Sequence, residues 1–102
     1  MPDSLKIVEG TALTALQKKE LMHRLARIEG QLRGVQKLLA LADDPADCDA
    51  VAQQMAAARK ALDRCFVQLL TSSMVTRTAN ARNLDEAQAS AAALAALLDR
   101  FA

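Results

Sequence analysis

Aromatic residues are almost absent from this chain, which has no tryptophan, no tyrosine and only two phenylalanines, Phe66 and Phe101. Proteins that bind single-stranded nucleic acid rely on aromatic side chains that stack on the bases. The near absence of aromatics therefore argues against that class of protein. Duplex DNA is approached mainly through its phosphates and is not excluded by the same argument.

Long apolar runs are absent as well. No stretch of about eighteen apolar residues occurs, and the segment from Met1 to Lys6 lacks the basic start and apolar middle of a secretory signal. We therefore expect a cytoplasmic protein with no membrane partner. In that compartment Cys48 and Cys65 are expected to be free, reactive or metal-binding. On one unbroken helix they would stand about 26 Å apart, which excludes a disulfide between them.

A strong net charge is also lacking, because thirteen Lys and Arg face twelve Asp and Glu. The charges are nevertheless segregated, with acids gathered between Asp43 and Asp49 and again at Asp85 and Glu86. Such segregation predicts a basic face on a near-neutral protein, although a solvated helix face is the commoner reading. The basic set comprises Lys18, Lys19, Arg24, Arg27, Arg33, Lys37, Arg59, Lys60 and Arg64.

What the chain does have is an apolar seam at alternating spacings of four and three residues. This period places one side of a helix against partner helices and predicts an all-α fold of three helices. The first helix would be roughly 40 Å long, too long for its own chain to cover, so we expect a homo-oligomer. The seam comprises Leu21, Leu25, Ile28, Leu32, Val35 and Leu39, then Val51, Met55, Ala58, Leu62, Cys65 and Leu69, then Leu84, Ala87, Ala91, Leu94, Leu98 and Phe101.

Local signals set the predicted boundaries. Residues 1–13 are interpreted as a flexible N-terminal arm and residues 14–102 as a single helical domain, with helices at about 14–42, 45–79 and 84–101. Thr14 and Gln17 form a capping-box pattern at the first start, and Asp44 before Pro45 is suited to cap the second. Asn83 or Asp85 is expected to cap the third.

Two glycines interrupt the first helix, Gly30 and Gly34, each at a cost of about 1 kcal/mol relative to alanine. Their four-residue spacing places them on one side of the helix, where close approach of another backbone is a plausible compensation.

The cysteines and the single histidine are the candidate reactive groups. Cys48 is predicted in the opening turn of the second helix, where unpaired N–H groups favour a thiolate and the acids Asp44, Asp47 and Asp49 oppose it. Cys65 occupies the seam and is expected to be buried and inert. His23 lies outside the seam, and with two distant cysteines it makes a poor ligand set for zinc, nickel or copper.

Enzyme activity is not expected from this sequence. It offers no acid–base pair, no glycine-rich phosphate loop and no nucleophile with a base beside it. No cofactor and no resident metal are predicted.

Three segments carry a resemblance to a known family. They are RLARIEGQLRGVQ from Arg24, DPADC ending at Cys48, and VAQQMAAARKALDR from Val51 to Arg64. Over roughly residues 18–101 the chain resembles the CsoR/RcnR/FrmR family of small bacterial repressors that sense copper(I), nickel or cobalt, formaldehyde and sulfane sulfur.

The resemblance implies a three-helix protomer, an antiparallel dimer in which helices 1 and 2 form a four-helix bundle, and a tetramer of two dimers. It further implies binding to double-stranded operator DNA without a helix-turn-helix motif, and release by an effector. Arg24 and Arg64 match basic residues that the family uses on DNA. From charge alone we add Arg27, Arg33, Lys37, Arg59 and Lys60 to the predicted DNA-binding set.

Departures from the family pattern bear on the effector. Copper sensors carry a histidine and a second cysteine at positions that fall here on Ser73 and Arg77, so only Cys48 of the metal set remains. Sulfane-sulfur sensors keep a second cysteine at the position of Arg77, so that dithiol is missing too.

The formaldehyde-responsive branch uses an N-terminal proline and the helix 2 cysteine of a neighbouring subunit, and this chain has both as Pro2 and Cys48. We therefore predict an effector-released repressor that senses formaldehyde or a similar small electrophile, although its arm is about ten residues longer than in that branch. Other cysteine modification, a metal at an atypical site, and a helical interaction protein that has lost sensing are the alternatives.

Overall fold

A computed structural model describes residues 7–101, and all regular secondary structure in this range is helical. The helices are α1 (Ala15–Leu41), α2 (Pro45–Asn80) and α3 (Leu84–Phe101). The predicted all-α class with three helices is confirmed. None of the three has an apolar stretch sufficient to cross a membrane.

Reciprocal side-chain caps fix the starts of α1 and α2. At α1 the Thr14 N–H donates to Gln17 Oε1 at 2.8 Å and the Gln17 N–H donates to Thr14 Oγ1 at 3.1 Å. At α2 the Asp47 N–H donates to Asp44 Oδ1 at 2.8 Å, and the Asp43 N–H donates to Asp47 Oδ2 at 3.1 Å. Both predicted caps are confirmed, because each satisfies N–H groups that have no partner inside the helix.

The start of α3 resolves an alternative that the sequence left open. The Glu86 N–H donates to Asn83 Oδ1 at 2.9 Å, so Asn83 rather than Asp85 is the cap. Glu86 in turn accepts the Arg82 N–H at 2.7 Å and lies 3.4 Å from the Arg82 guanidinium. These contacts fix the end of the α2–α3 connection at Asn83, directly before the first residue of α3.

Two compact units make up the chain. The hairpin unit is Leu21–Val67, which contains most of α1, the connection at residues 42–44 and the first part of α2. The terminal unit combines Met1–Glu20 with Gln68–Ala102, and therefore contains the start of α1, the end of α2 and all of α3.

In the hairpin unit the seam divides into a buried row and an exposed row on each helix. The buried rows repeat every seven residues, as Leu21, Ile28 and Val35 on α1 and as Val51, Ala58 and Cys65 on α2. The other half of each row is exposed, and Leu32 and Leu62 leave 48% and 49% of their surface to solvent. The exposed seam residues of this unit are Leu25, Leu32, Leu39, Met55 and Leu62.

The terminal unit buries Leu70 and Leu94 together with two polar side chains, Ser73 and Thr76. Thr76 Oγ1 donates a 2.8 Å hydrogen bond to Gln17 Oε1, which ties the end of α2 to the first turn of α1. The Ser73 hydroxyl is buried without a hydrogen-bond partner among the described residues. Both side chains therefore bury a hydroxyl, but only the Thr76 hydroxyl has its hydrogen bond among the described residues.

This difference predicts opposite effects of two small substitutions. Thr76→Val removes a satisfied hydrogen bond and is expected to lower the free energy of unfolding by about 1 kcal/mol, whereas Ser73→Ala removes an unsatisfied hydroxyl and is expected to leave it unchanged or raise it. Urea unfolding at equal protein concentration measures both. An equal loss in the two variants would mean that Ser73 has a partner in the assembled protein.

The described part of the arm is held against the start of α1. Lys18 Nζ donates to the carbonyl of Val8 at 2.5 Å, the Ala15 N–H donates to Glu9 Oε2 at 3.1 Å, and a turn closes from the Gly10 N–H to the Leu13 carbonyl at 3.1 Å. Residues 7–14 therefore have defined anchor points although they form no helix.

Neither glycine of α1 is closely approached within the described chain. A Cβ placed at Gly30 or Gly34 would meet no atom within 4 Å. The close approach predicted at these positions is therefore not made by the described residues of the same chain, and the glycine side of α1 is open.

Candidate functional site

All seven predicted DNA-binding residues lie in the hairpin unit, and all seven are exposed. None takes part in an ion pair with another described residue, since the ion pair found within residues 7–101 joins Arg82 to Glu86. The set consists of Arg24, Arg27, Arg33 and Lys37 on α1 and Arg59, Lys60 and Arg64 on α2. The same unit also carries six acids, so its formal net charge is +1, and a positive surface depends on where along the unit the cations lie.

The antiparallel course of α1 and α2 brings basic residues of the two helices to the same level. Arg24 and Arg64 lie 19 and 21 residues from Asp43 in the connection, a difference of only about 3 Å along the helix axes. Arg27 and Lys60 are matched in the same way, at 16 and 17 residues. Basic residues that are far apart in sequence therefore lie at similar heights along the axes of α1 and α2.

Charge also varies along the hairpin unit. The connection end carries Asp43, Asp44, Asp47 and Asp49, all exposed. The opposite end carries the basic levels just described, with Glu20, Glu29 and Asp63 as the nearby acids in sequence. A polyanion would therefore approach the basic end of the unit and be repelled from the connection end.

Cys48 lies beside the acidic connection, as the fourth residue of α2, and its side chain is exposed. Its N–H donates to the Asp44 carbonyl at 3.1 Å, the first regular hydrogen bond of the helix. Cys65 is buried, which confirms the prediction for this seam position. Because α2 is continuous, the two free thiols are separated by about 26 Å.

Pro2, the predicted partner of Cys48, lies outside the described residues. Among the described contacts of the arm, the one nearest to Pro2 in sequence is the hydrogen bond that the Val8 carbonyl accepts from Lys18 Nζ. The length of chain between Pro2 and Val8 spans at most about 20 Å when extended.

The described side chains of one subunit provide no cluster for a metal ion. Within residues 7–101 no group of three or more His, Cys, Asp and Glu side chains could hold one. His23 is exposed on α1 in the hairpin unit, and Ser73 and Arg77 belong to the terminal unit. A hydroxyl and a guanidinium are unsuitable ligands for copper(I) or nickel(II), since the first is a poor donor and the second carries a positive charge.

Sequence reasoning missed a cavity in the terminal unit. It is formed by the arm at Thr11 and Ala12, by the end of α2 from Arg77, and by α3 near Glu86 and Ser90. These residues come from three segments without a shared motif, and no periodicity relates them.

Comparison with known proteins bears on the whole helical region. A family model described as metal-sensitive transcriptional repressor matches residues 17–100, which is most of the chain. No curated protein and no solved structure matches the chain significantly.

Proposed function

Because the chain belongs to the metal-sensitive transcriptional repressor family, of the CsoR/RcnR type, we propose that it is a DNA-binding repressor released by an effector that acts at Cys48. Membership implies that the chain binds DNA and assembles into oligomers. The family is one of transcriptional repressors, which is not a class of enzymes. We further propose which residues contact DNA, which residue senses the effector, what the effector is and how the subunits assemble.

The observation that supports the DNA-binding face is the set of seven exposed cations in the hairpin unit that form no ion pair with another described residue. Phosphates of duplex DNA are neutralised by such side chains without the need for aromatic residues. Arg24 and Arg64 are the leading contacts because they share one level of the hairpin. Arg27, Arg33, Lys37, Arg59 and Lys60 are proposed as further phosphate contacts, with Arg33 and Lys37 on a different side of α1 from Arg24.

The effector is assigned to Cys48 because it is the accessible thiol of the described chain, whereas Cys65 is buried. Formaldehyde is the proposed effector, with the secondary amine of Pro2 from a neighbouring subunit as the second nucleophile. The amine, which is free once Met1 is removed, adds to formaldehyde to give an iminium ion. The Cys48 thiolate then adds to the same carbon, so that a methylene bridge forms and one water molecule leaves.

Intact-mass measurement tests this chemistry directly. Formaldehyde is expected to add about 12 Da per bridge to the wild-type protein, and Cys48→Ala is expected to abolish the addition. Cys65→Ala is the matched control, since it removes the same group from a buried position, and it is expected to behave as wild type. Addition that persists in Cys48→Ala but vanishes in Cys65→Ala would assign the sensor to the buried thiol.

The family description favours a second candidate, a metal effector. Copper(I) and nickel(II) are nevertheless expected to bind weakly, because the positions that supply imidazole and thiolate in copper sensors carry Ser73 and Arg77 here. Competition against a chromophoric chelator measures this affinity. Stoichiometric tight binding that Cys48→Ala removes would contradict the proposal and make the metal the effector.

The exposed rows of the hairpin unit support assembly. Leu25, Leu32 and Leu39 on α1, with Met55 and Leu62 on α2, continue the seven-residue repeat that each helix buries on its other row. We assign these rows to an antiparallel dimer that completes a four-helix bundle, with two dimers forming a tetramer. The protein is proposed to act in the cytoplasm on double-stranded operator DNA.

A further inference from the structure

A cavity of about 650 Å³ in the terminal unit has no assigned role. Pockets for small ligands typically measure ~300 to 1,000 Å³. Three alanines, Ala12, Ala81 and Ala89, form part of its wall and leave space that larger side chains would fill. The cavity is therefore large enough for a ligand of a few heavy atoms with an apolar part.

The charge balance of the cavity is positive. Arg77 and Arg82 both line it, and Glu86 provides the opposite charge. Glu86 is already paired with Arg82, at 3.4 Å between Oε1 and Nε. Arg77 is half-buried, and no described carboxylate pairs with it. A guanidinium that has lost part of its water without gaining an anion is an incomplete arrangement, and its planar fork fits carboxylate and phosphate oxygens.

Neutral donors surround the same space. The hydroxyls of Thr11 and Ser90 and the amide of Asn80 line the cavity, and their side chains make no hydrogen bond to another described residue. Each can donate to an oxygen acceptor. A guanidinium with several uncommitted donors is the side-chain chemistry that selects an oxyanion.

We propose that this cavity binds a small oxyanion, inorganic or the acid group of a small organic acid, with Arg77 as its charged partner. All residues that line the site belong to the terminal unit, and none of them belongs to the proposed DNA-binding set. Because Thr11 and Ala12 of the arm form one wall, a bound anion would also hold the arm in place.

The test uses the full-length protein with acetate, butyrate and phosphate as probes, titrated at constant ionic strength and followed by NMR chemical shifts. At least one probe is expected to bind saturably, and Arg77→Gln is expected to weaken that binding about tenfold or more. Arg100→Gln is the matched control, because it makes the same change of charge on α3 outside the cavity. Slower amide exchange at Thr11 and Ala12 is expected on binding.

A second pair of variants tests whether binding requires the free volume of the cavity. Ala89→Leu fills the space from an exposed helix position and is expected to abolish binding, whereas Ala95→Leu, exposed on the same helix away from the cavity, is expected to preserve it. The pair remains informative should Arg77→Gln lose helicity. Absence of saturable binding by all three probes, or equal binding in Ala89→Leu and Ala95→Leu, would overturn the proposal. Preference for butyrate indicates an organic acid, and preference for phosphate an inorganic anion.

Discussion

Replacement of Arg64 by alanine is expected to weaken binding to operator duplex by at least about tenfold, because a charge-assisted contact to phosphate contributes about 1.5 to 3 kcal/mol and is repeated in every subunit. Arg24→Ala is expected to have a similar effect, since Arg24 lies at the same level of the hairpin unit. The slope of log K against log salt concentration should fall by about one for each phosphate contact removed. Fluorescence anisotropy at several salt concentrations measures both quantities.

Arg100→Ala provides the control for net charge. Arg100 is exposed near the end of α3, and its replacement removes one positive charge outside the hairpin unit. Its affinity and salt slope are expected to stay close to those of the wild type. Equal losses in Arg64→Ala and Arg100→Ala, with helicity intact in both, would mean that overall charge rather than a localised face governs DNA binding.

Leu62→Asp is expected to convert the oligomer into monomers. Leu62 is half-exposed in the single chain and belongs, with Met55, to the exposed row of α2. In an isologous interface the same substitution occurs on both sides, so two carboxylates would lose their water against an apolar surface, at a cost of several kcal/mol each. Light scattering at micromolar concentration measures the change in molar mass.

Val67→Asp is the matched control for that experiment. Val67 is also an apolar, exposed residue of α2, but it lies outside the seven-residue row. It is expected to leave the oligomer intact. A wild-type protein that is already a monomer, or equal dissociation in Leu62→Asp and Val67→Asp, would contradict the assignment of the exposed row to the dimer interface.

The helix starts could be predicted from the sequence because their causes are local. Thr14 with Gln17, and Asp44 with Asp47, each place donor and acceptor three residues apart, so the chain itself keeps them close together. The choice between Asn83 and Asp85 was beyond that reasoning, because it depends on the geometry of the preceding connection. The predicted burial of Cys65 is confirmed, but its seam position alone does not separate it from Leu62, which follows the same apolar period and is exposed.

The division of the seam into buried and exposed rows could not be predicted. Residue type does not separate the two rows, since Ile28 is buried and Leu32 is exposed although both are aliphatic and belong to the same seam. Periodicity shows which side of a helix is apolar, but it does not show which half of that side is covered by the same chain. That distinction depends on how the two helices of the hairpin unit pack.

The cavity around Arg77 could not be predicted for a different reason. Arg77, Thr11 and Ser90 come together only because the arm, the end of α2 and α3 belong to one compact unit. In the sequence Arg77 stands out only as the replacement of a ligand position in related sensors. Its surroundings, half-buried with unused donors nearby, required the three-dimensional structure.

Release of DNA by formaldehyde tests the central claim most directly. A labelled duplex, selected with the wild-type protein from fragmented genomic DNA, is bound by wild type, Cys48→Ala and Cys65→Ala, and anisotropy is followed as formaldehyde is added. The account predicts that all three proteins bind, and that formaldehyde releases the duplex from wild type and Cys65→Ala but not from Cys48→Ala. Release that is equal in Cys48→Ala and wild type would contradict it.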